Sequence, residues 1–300
     1  MPQHTIKILG VKITTEDEDF ILEKINKYLK KSKSRNVKGK SDGVKPLVIF
    51  TPNPEIIVFA QKNNFFRETV NSSQINLPDG AGIPWAIEKI SGLKMARISG
   101  VDFMFSLCRQ AAEKSCRIGL IGGRAGLAVS ASECLHREHP GLEVIALGEP
   151  EIRIKNKELR IKSRKLRDPA EAGKKNYHTD FIIHDSGGKL IDGDGYFDNL
   201  IKEIKRKKID ILFVGLGFPK QEFFIRELRK AAEKVLQMKP LVMMAVGGSF
   251  DYLVGKINRA PKWMRDRGLE WAYRLIREPW RWKRQLTGSV FFPQIYFRQH

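Results

Sequence analysis

From Pro46 onward the chain repeats one unit: a short apolar run ending near glycine, asparagine or aspartate, then a stretch whose apolar residues recur at helical spacing. Leu47–Thr51 reads as a strand and Pro54–Asn64 as a helix, and Ile75–Leu77 with Gly82–Ser91 repeats the pair. Helix Gly100–Lys114, strand Arg117–Ile121, helix Gly126–Glu138 and strand Leu142–Leu147 follow. The rhythm resumes with helix 196–207, strand 209–215, helix 219–236 and strand 241–246. A strand over 5–15 and a helix over 16–29 precede it. Apolar strands joined through helices pair in parallel, because each crossover helix must cover the sheet it crosses. The pattern therefore predicts an α/β fold, a mostly parallel Rossmann-like sheet with helices on both faces.

Two segments break the rhythm. Residues 30–45 lose periodicity and collect Lys, Ser and Gly, and residues 149–194 form a Lys/Arg-rich stretch with a hairpin signal at Ser186-Gly187-Gly188. Both read as insertions into a core spanning 1–255. The formal charge of +20 belongs to residues 24–45, 151–175 and 260–300, since the remaining sequence balances its acids and bases. A cation excess so placed points to a polyanionic partner such as nucleic acid, an anionic membrane face or a diphosphate. The three cysteines form no disulfide framework, no secretory leader pattern is visible, and the longest apolar runs are too short to span a bilayer. A cytoplasmic protein is the expectation.

Residues 256–300 change character. Trp263, Trp271, Trp280 and Trp282 lie among arginines. On one continuous helix Arg267, Arg274 and Arg277 would fall within about 80° of each other, opposite Leu269, Ala272, Tyr273 and Ile276. Pro279 would then sit in the first turn of a following helix.

In open parallel sheets ligands bind beyond the carboxyl ends of the strands. Five polar turns qualify there: Thr51-Pro52-Asn53-Pro54-Glu55, Asp79-Gly80, Gly122-Gly123-Arg124, Gly217-Phe218-Pro219-Lys220-Gln221 and Gly247-Gly248-Ser249. Glycine turns that open helices suit a phosphate-bearing ligand, and an aspartate among them suits a general base. Helix capping by Asn53 and a plain Asp-Gly turn are the blander readings of the first two. Asp192-Gly193-Asp194 and the His136/His139 pair are discounted as metal sites. The first lies in an insertion among turn residues, and the second lacks further ligands.

These turns, taken with Arg97-x-x-Gly100-x-Asp102, Gly195-Tyr196-Phe197, Arg259-Ala260-Pro261-Lys262-Trp263 and the run from Gly268 to Ile276, resemble the WecG/TagA/CpsF glycosyltransferase family. The resemblance implies an inverting, metal-independent and cofactor-free enzyme on the inner face of a bacterial membrane. Its donor would be a UDP-sugar of the N-acetylmannosamine type, and its acceptor N-acetylglucosamine on undecaprenyl diphosphate, a polyprenyl carrier. It also implies Asp79 as the base, with Thr51, Asn53, Arg97 and Gln221 lining the pocket. Gly122, Gly123, Tyr196, Gly217 and Gly248 complete the expected substrate-binding set. Residues 256–300 would be a membrane-associating appendage that completes the site with Arg267, Arg274 and Arg277, on an anionic membrane surface. Whether the chain forms a homo-oligomer is left open. A basic nucleic-acid-binding protein and a nucleotide-dependent oxidoreductase are the alternatives. The first leaves Asp79 and the glycine turns without a task, and the second expects a dinucleotide fingerprint that the Gly122 loop does not complete.

Overall fold

A computed structural model describes residues 4–30, 44–158, 177–184, 190–191, 193–235, 238–279 and 282–297. The run expected as one strand over 5–15 is an antiparallel hairpin, β1 (Thr5–Ile8) and β2 (Val11–Thr14), turning at Leu9 and Gly10. A two-residue turn preserves the alternation of faces, which is why the sequence pattern ran through it unbroken. After α1 (Glu18–Lys30) come β3 (Leu47–Phe50) and α2 (Pro54–Lys62). The expected single helix over 54–64 ends early because Asn63 is extended, and its Oδ1 accepts from Phe66 N at 2.9 Å to cap a separate α3 (Asn64–Asn71).

Then follow β4 (Ile75–Asn76), α4 (Gly82–Ser91), α5 (Gly100–Glu113), β5 (Ile118–Gly122), α6 (Leu127–Glu138) and β6 (Val144–Gly148). The segment read as a basic insertion carries strands of its own: β7 (Glu151–Glu158), β8 (Tyr177–His184) and β9 (Leu190–Ile191) form a three-stranded antiparallel sheet. β8 and β9 flank the expected hairpin, whose Ser186-Gly187-Gly188 lies outside the described residues, as do Asp192, Trp280 and residues 31–43. α7 (Gly193–Arg206), β10 (Ile211–Gly215), α8 (Lys220–Lys234), β11 (Val242–Ala245) and α9 (Ser249–Leu253) complete the α/β part.

Six strands in the order β4-β3-β11-β10-β5-β6 make a wholly parallel sheet. Its central strands are buried on both faces. Leu47, Ile49, Phe213 and Met244 point to one apolar layer with α1, α5 and α6, while Val48, Phe50, Val214 and Ala245 point to the other with α2, α4 and α8. Every strand therefore ends on the same edge, and the polar turns that follow them converge there.

The C-terminal end folds as α10 (Lys262–Asp266), α11 (Glu270–Arg277), α12 (Trp282–Ser289) and α13 (Phe291–Tyr296). The single helix expected to align three arginines does not form. Arg267 is the residue that ends α10, and Gly268 follows at φ 69° in the left-handed region. A Cβ on Gly268 would lie 2.5 Å from that of Ala81, so the break lets the tail seat against the start of α4. Pro279 stands in a 3₁₀ turn ahead of α12.

α12 and α13 pack on α2, and α13 also on α4. Phe291 and Ile295 are buried within the main apolar layer, and Gln61 donates to Gln294 at 2.8 Å. The end of the tail is thus part of the core. Phe291→Ala should cost about 3 to 5 kcal/mol, because a fully buried ring leaves a cavity behind. A urea unfolding midpoint unmoved by that change would mean that α13 is peripheral to the cooperative unit.

Candidate active site

The turns after β3, β10 and β11 supply one wall each of a cavity of about 910 Å³. Thr51 and Asn53 line it from the first turn. Asn53 is the N-cap of α2, its Oδ1 accepting from Ile56 N at 2.9 Å, so the capping and site-lining readings hold together. Gln221, at the start of α8 and buried, accepts from Gly247 N at 2.9 Å and donates to Glu222 at 3.0 Å. It ties the β10 and β11 turns to each other, leaving Gly217 and Gly248 as open lining on either side.

The glycine loop after β5 is arranged differently. Gly122 stands at φ 102°, and a Cβ there would meet the Gly215 carbonyl at 2.7 Å. Its glycine serves the close approach of two strand ends, and Gly123 lines the cavity in its place while donating to Gly215 O at 3.0 Å. The amides at the start of α6 that a phosphate would use are taken. Glu149 accepts from Gly126 N and from Ala128 N, both at 2.9 Å. A carboxylate there satisfies the helix dipole as a phosphate would. Tyr196 packs edge-on against Phe197 and Phe224, outside both cavity linings.

Asp79 ends the turn after β4. Its N–H donates to Leu77 O at 2.9 Å, and its Oδ1 accepts from Gly80 N at 2.8 Å. Burial pushes this carboxyl up to about 6, outweighing the opposing pull of the Arg97 guanidinium and of the Gly80 and Gly100 amides, while Glu270 adds a smaller upward push. An aspartate with that affinity takes a proton far more readily than an exposed one, yet is ionised at neutral pH.

A second cavity of about 320 Å³ lies between the core and the tail. It has an apolar side made by Trp271 and Phe292 and a charged side made by Arg97 and Glu270. Asn53, Asp79 and Arg274 line both cavities. The aspartate therefore stands where the two spaces meet, and Arg274 of the tail lines the same two spaces.

The sequence profile of the glycosyl transferase WecG/TagA/CpsF family matches residues 6–166 and 175–300. The chain belongs to this glycosyltransferase family. It is 30% identical over 243 residues, 80% of this chain and 75% of the relative, to the N-acetylglucosaminyldiphosphoundecaprenol N-acetyl-beta-D-mannosaminyltransferase of Bacillus subtilis strain 168. The enzyme of the same name from Staphylococcus aureus strain MW2 is 24% identical over 279 residues, 93% of this chain and 86% of the relative.

Within this glycosyltransferase the three tail arginines part company. Arg274 is half-buried, lines both cavities, lies over the Tyr252 ring at 5.2 Å and pairs with Glu278 at 3.2 Å. Arg267 and Arg277 are exposed, over the rings of Trp263 and Tyr273 respectively, and line neither cavity. Several residues at the site were given no place in it by the sequence. Glu149 needed the β6 end to approach α6. Trp271 and Phe292 needed the tail to fold back on α4, where Phe292 meets Trp85 at 5.2 Å. Glu270 and Arg259 stood inside the tail's recognisable stretches, but only their contacts with Arg97 and Asp102 show what they hold.

Proposed function

We propose that this glycosyltransferase moves N-acetylmannosamine from a UDP donor to N-acetylglucosamine on undecaprenyl diphosphate, with inversion, while attached peripherally to the inner face of the cell membrane. The observation that carries the reading is the position of Asp79 at the junction of two cavities of unequal size and character. The larger, walled by glycine turns and the cations Lys220 and Lys256, suits a nucleotide diphosphate. The smaller, with its aromatic side toward the tail, suits the sugar end of a lipid-linked acceptor.

In this arrangement the Asp79 carboxylate takes the proton of the acceptor hydroxyl as that oxygen attacks the anomeric carbon. The bond from that carbon to the diphosphate oxygen breaks on the opposite side, and its electron pair leaves with UDP. Arg274 faces the charge that develops there, and its stabilisation is greatest in the transition state. The proton rests on Asp79 until solvent removes it. Leaving-group stabilisation is assigned to arginine and backbone amides, without a metal or other cofactor.

Membrane attachment is supported by the tail. Trp263, Trp271 and Trp282 are exposed, and Ile276 and Phe297 are each 75% exposed, close to basic residues. Aromatic rings beside arginines favour the lipid–water interface, and no helix among the described residues is long and apolar enough to cross a bilayer. Neither alternative function is supported by the matched relatives, and the occupation of the α6 amides by Glu149 weighs against a dinucleotide there.

The test is a transfer assay with a panel of UDP-sugars and a short-chain lipid-diphosphate N-acetylglucosamine acceptor, in the presence of EDTA. Product from UDP-N-acetylmannosamine is expected. Product from a different donor alone would reassign the sugar, and restoration by Mg²⁺ would overturn the metal-free mechanism. In the same assay kcat/KM should fall about tenfold per pH unit below pH about 6 and level off above it. The sign follows from the role: protonated Asp79 cannot accept a proton, so activity is lost as pH falls through its raised value. A rate that falls instead as pH rises through 6 would make Asp79 an acid.

A further inference from the structure

Glu270 is the first residue of α11, and its carboxylate reaches in two directions. Oε2 accepts from Arg97 Nη2 at 3.2 Å, and Oε1 lies 3.2 Å from Arg259 Nε. Arg259 turns its other edge to Asp102 of α5, with Nη1 to Oδ1 at 2.9 Å and Nη2 to Oδ2 at 3.0 Å. The side chains are sheltered, 14% exposed for Glu270, 18% for Arg97 and 19% for Arg259. One carboxylate from the tail thus closes a row of alternating charges between a wall of the smaller cavity and α5.

Sheltered ion pairs are weak contributors to stability, because desolvation offsets their attraction. Their placement here has another consequence. Arg97, Glu270 and Asp79 line the same cavity, where the guanidinium touches the tail carboxylate and draws on the base through space. The other charged groups in that space are Glu55 at the start of α2 and Arg274 of α11. The further charged groups of the larger cavity are Lys220 of α8, Asp251 of α9, Lys256, Arg124, Glu149 and Glu151. Arg274 is matched by Glu278, so Glu270 is the tail group that offsets Arg97.

We propose that Glu270 is a positioning residue that makes the base depend on a seated tail: by engaging Arg97, it keeps the Asp79 carboxylate available to take the acceptor's proton. The inference rests on the assignment of Asp79 as the base. Without that engagement Arg97 turns its charge on Asp79, and a carboxylate held by a guanidinium is a poor proton acceptor. The base is then strong only while the acceptor cavity, which the tail helps to build, exists.

Glu270→Gln keeps the size of the side chain and one accepting oxygen while removing the charge; Glu270→Asp keeps the charge. In the transfer assay the acid limb of the Glu270→Gln pH profile should move to lower pH. Its plateau kcat should fall about three- to tenfold, with the acceptor KM little changed. Glu270→Asp should retain the wild-type limb. A limb left in place in Glu270→Gln, with acceptor KM raised or the unfolding midpoint lowered instead, would make Glu270 an anchor only and overturn the proposal. A carboxyl-carbon NMR titration of Asp79, assigned by its loss in Asp79→Asn, reads the same shift without turnover and decides the matter if the variant is too slow to assay. Failure of the base assignment looks different. Wild-type turnover in Asp79→Asn, or no acid limb in the wild type, removes that assignment and the proposal together, whereas an unmoved limb in Glu270→Gln removes only the proposal.

Discussion

Asp79→Asn should lower turnover by a factor of about 10² to 10⁴ while leaving the fold and saturable UDP binding intact. Asparagine fills the same space and can still accept from Gly80 N, so the turn after β4 survives. What it loses is the capacity to hold a proton. Stability should move the other way. Because burial raises the Asp79 carboxyl to about 6 in the folded protein, its ionised form at neutral pH is a destabilising charge, relieved as pH falls toward and below 6. The neutral amide removes that cost, so at pH 7 the variant should melt at or above the wild-type temperature, as expected where a site is kept strained for its chemistry. Turnover near wild type in Asp79→Asn would remove this residue from the mechanism. Lost UDP binding would place it in donor recognition.

Arg274→Ala should reduce kcat by about 10² to 10³, with a smaller effect on donor KM, because a cation facing developing charge acts mainly in the transition state. Arg267→Ala and Arg277→Ala should stay within a few-fold of wild type on a detergent-soluble acceptor. Both side chains are exposed and outside the cavities, so their expected loss is in sedimentation with anionic vesicles, at about 1 kcal/mol for each well-placed cation. Glu278→Gln serves as a control, since removing Arg274 also deprives Glu278 of a partner at 3.2 Å. If Arg277→Ala lost turnover as completely as Arg274→Ala on the soluble acceptor, the surface arginine would have to enter the site on the membrane. If all three variants lost vesicle binding and transfer in parallel, the arginines would be lipid anchors and the catalytic assignment of Arg274 would fall.

The division of labour among these arginines shows how far linear spacing carries. A helical wheel over Arg267 to Arg277 assumes an unbroken helix, and Gly268 breaks it because the tail must come within van der Waals distance of Ala81. A lone glycine permits helix, turn or close approach equally well in a sequence. The same limit applied at Gly122-Gly123, where a loop that reads as a phosphate cradle has its helix amides filled by Glu149 from the end of β6. Conversely, the six strands of the parallel sheet and the turns that end them were legible, since short continuous apolar runs and helical periodicity are local properties.

Sequence alone determined the parallel sheet, the edge on which its polar turns gather, the family resemblance and the aspartate in the turn after β4. Tertiary structure decided which of those turns share a space, and that Asp79 lies between two cavities instead of inside one. It also decided that Arg274 alone of the three tail arginines reaches them, and that Glu270 stands against Arg97. The reason is physical. Strand and helix signals come from neighbours within a few residues, whereas a cavity and the charge balance inside it are set by side chains from opposite ends of the chain competing for the same partners.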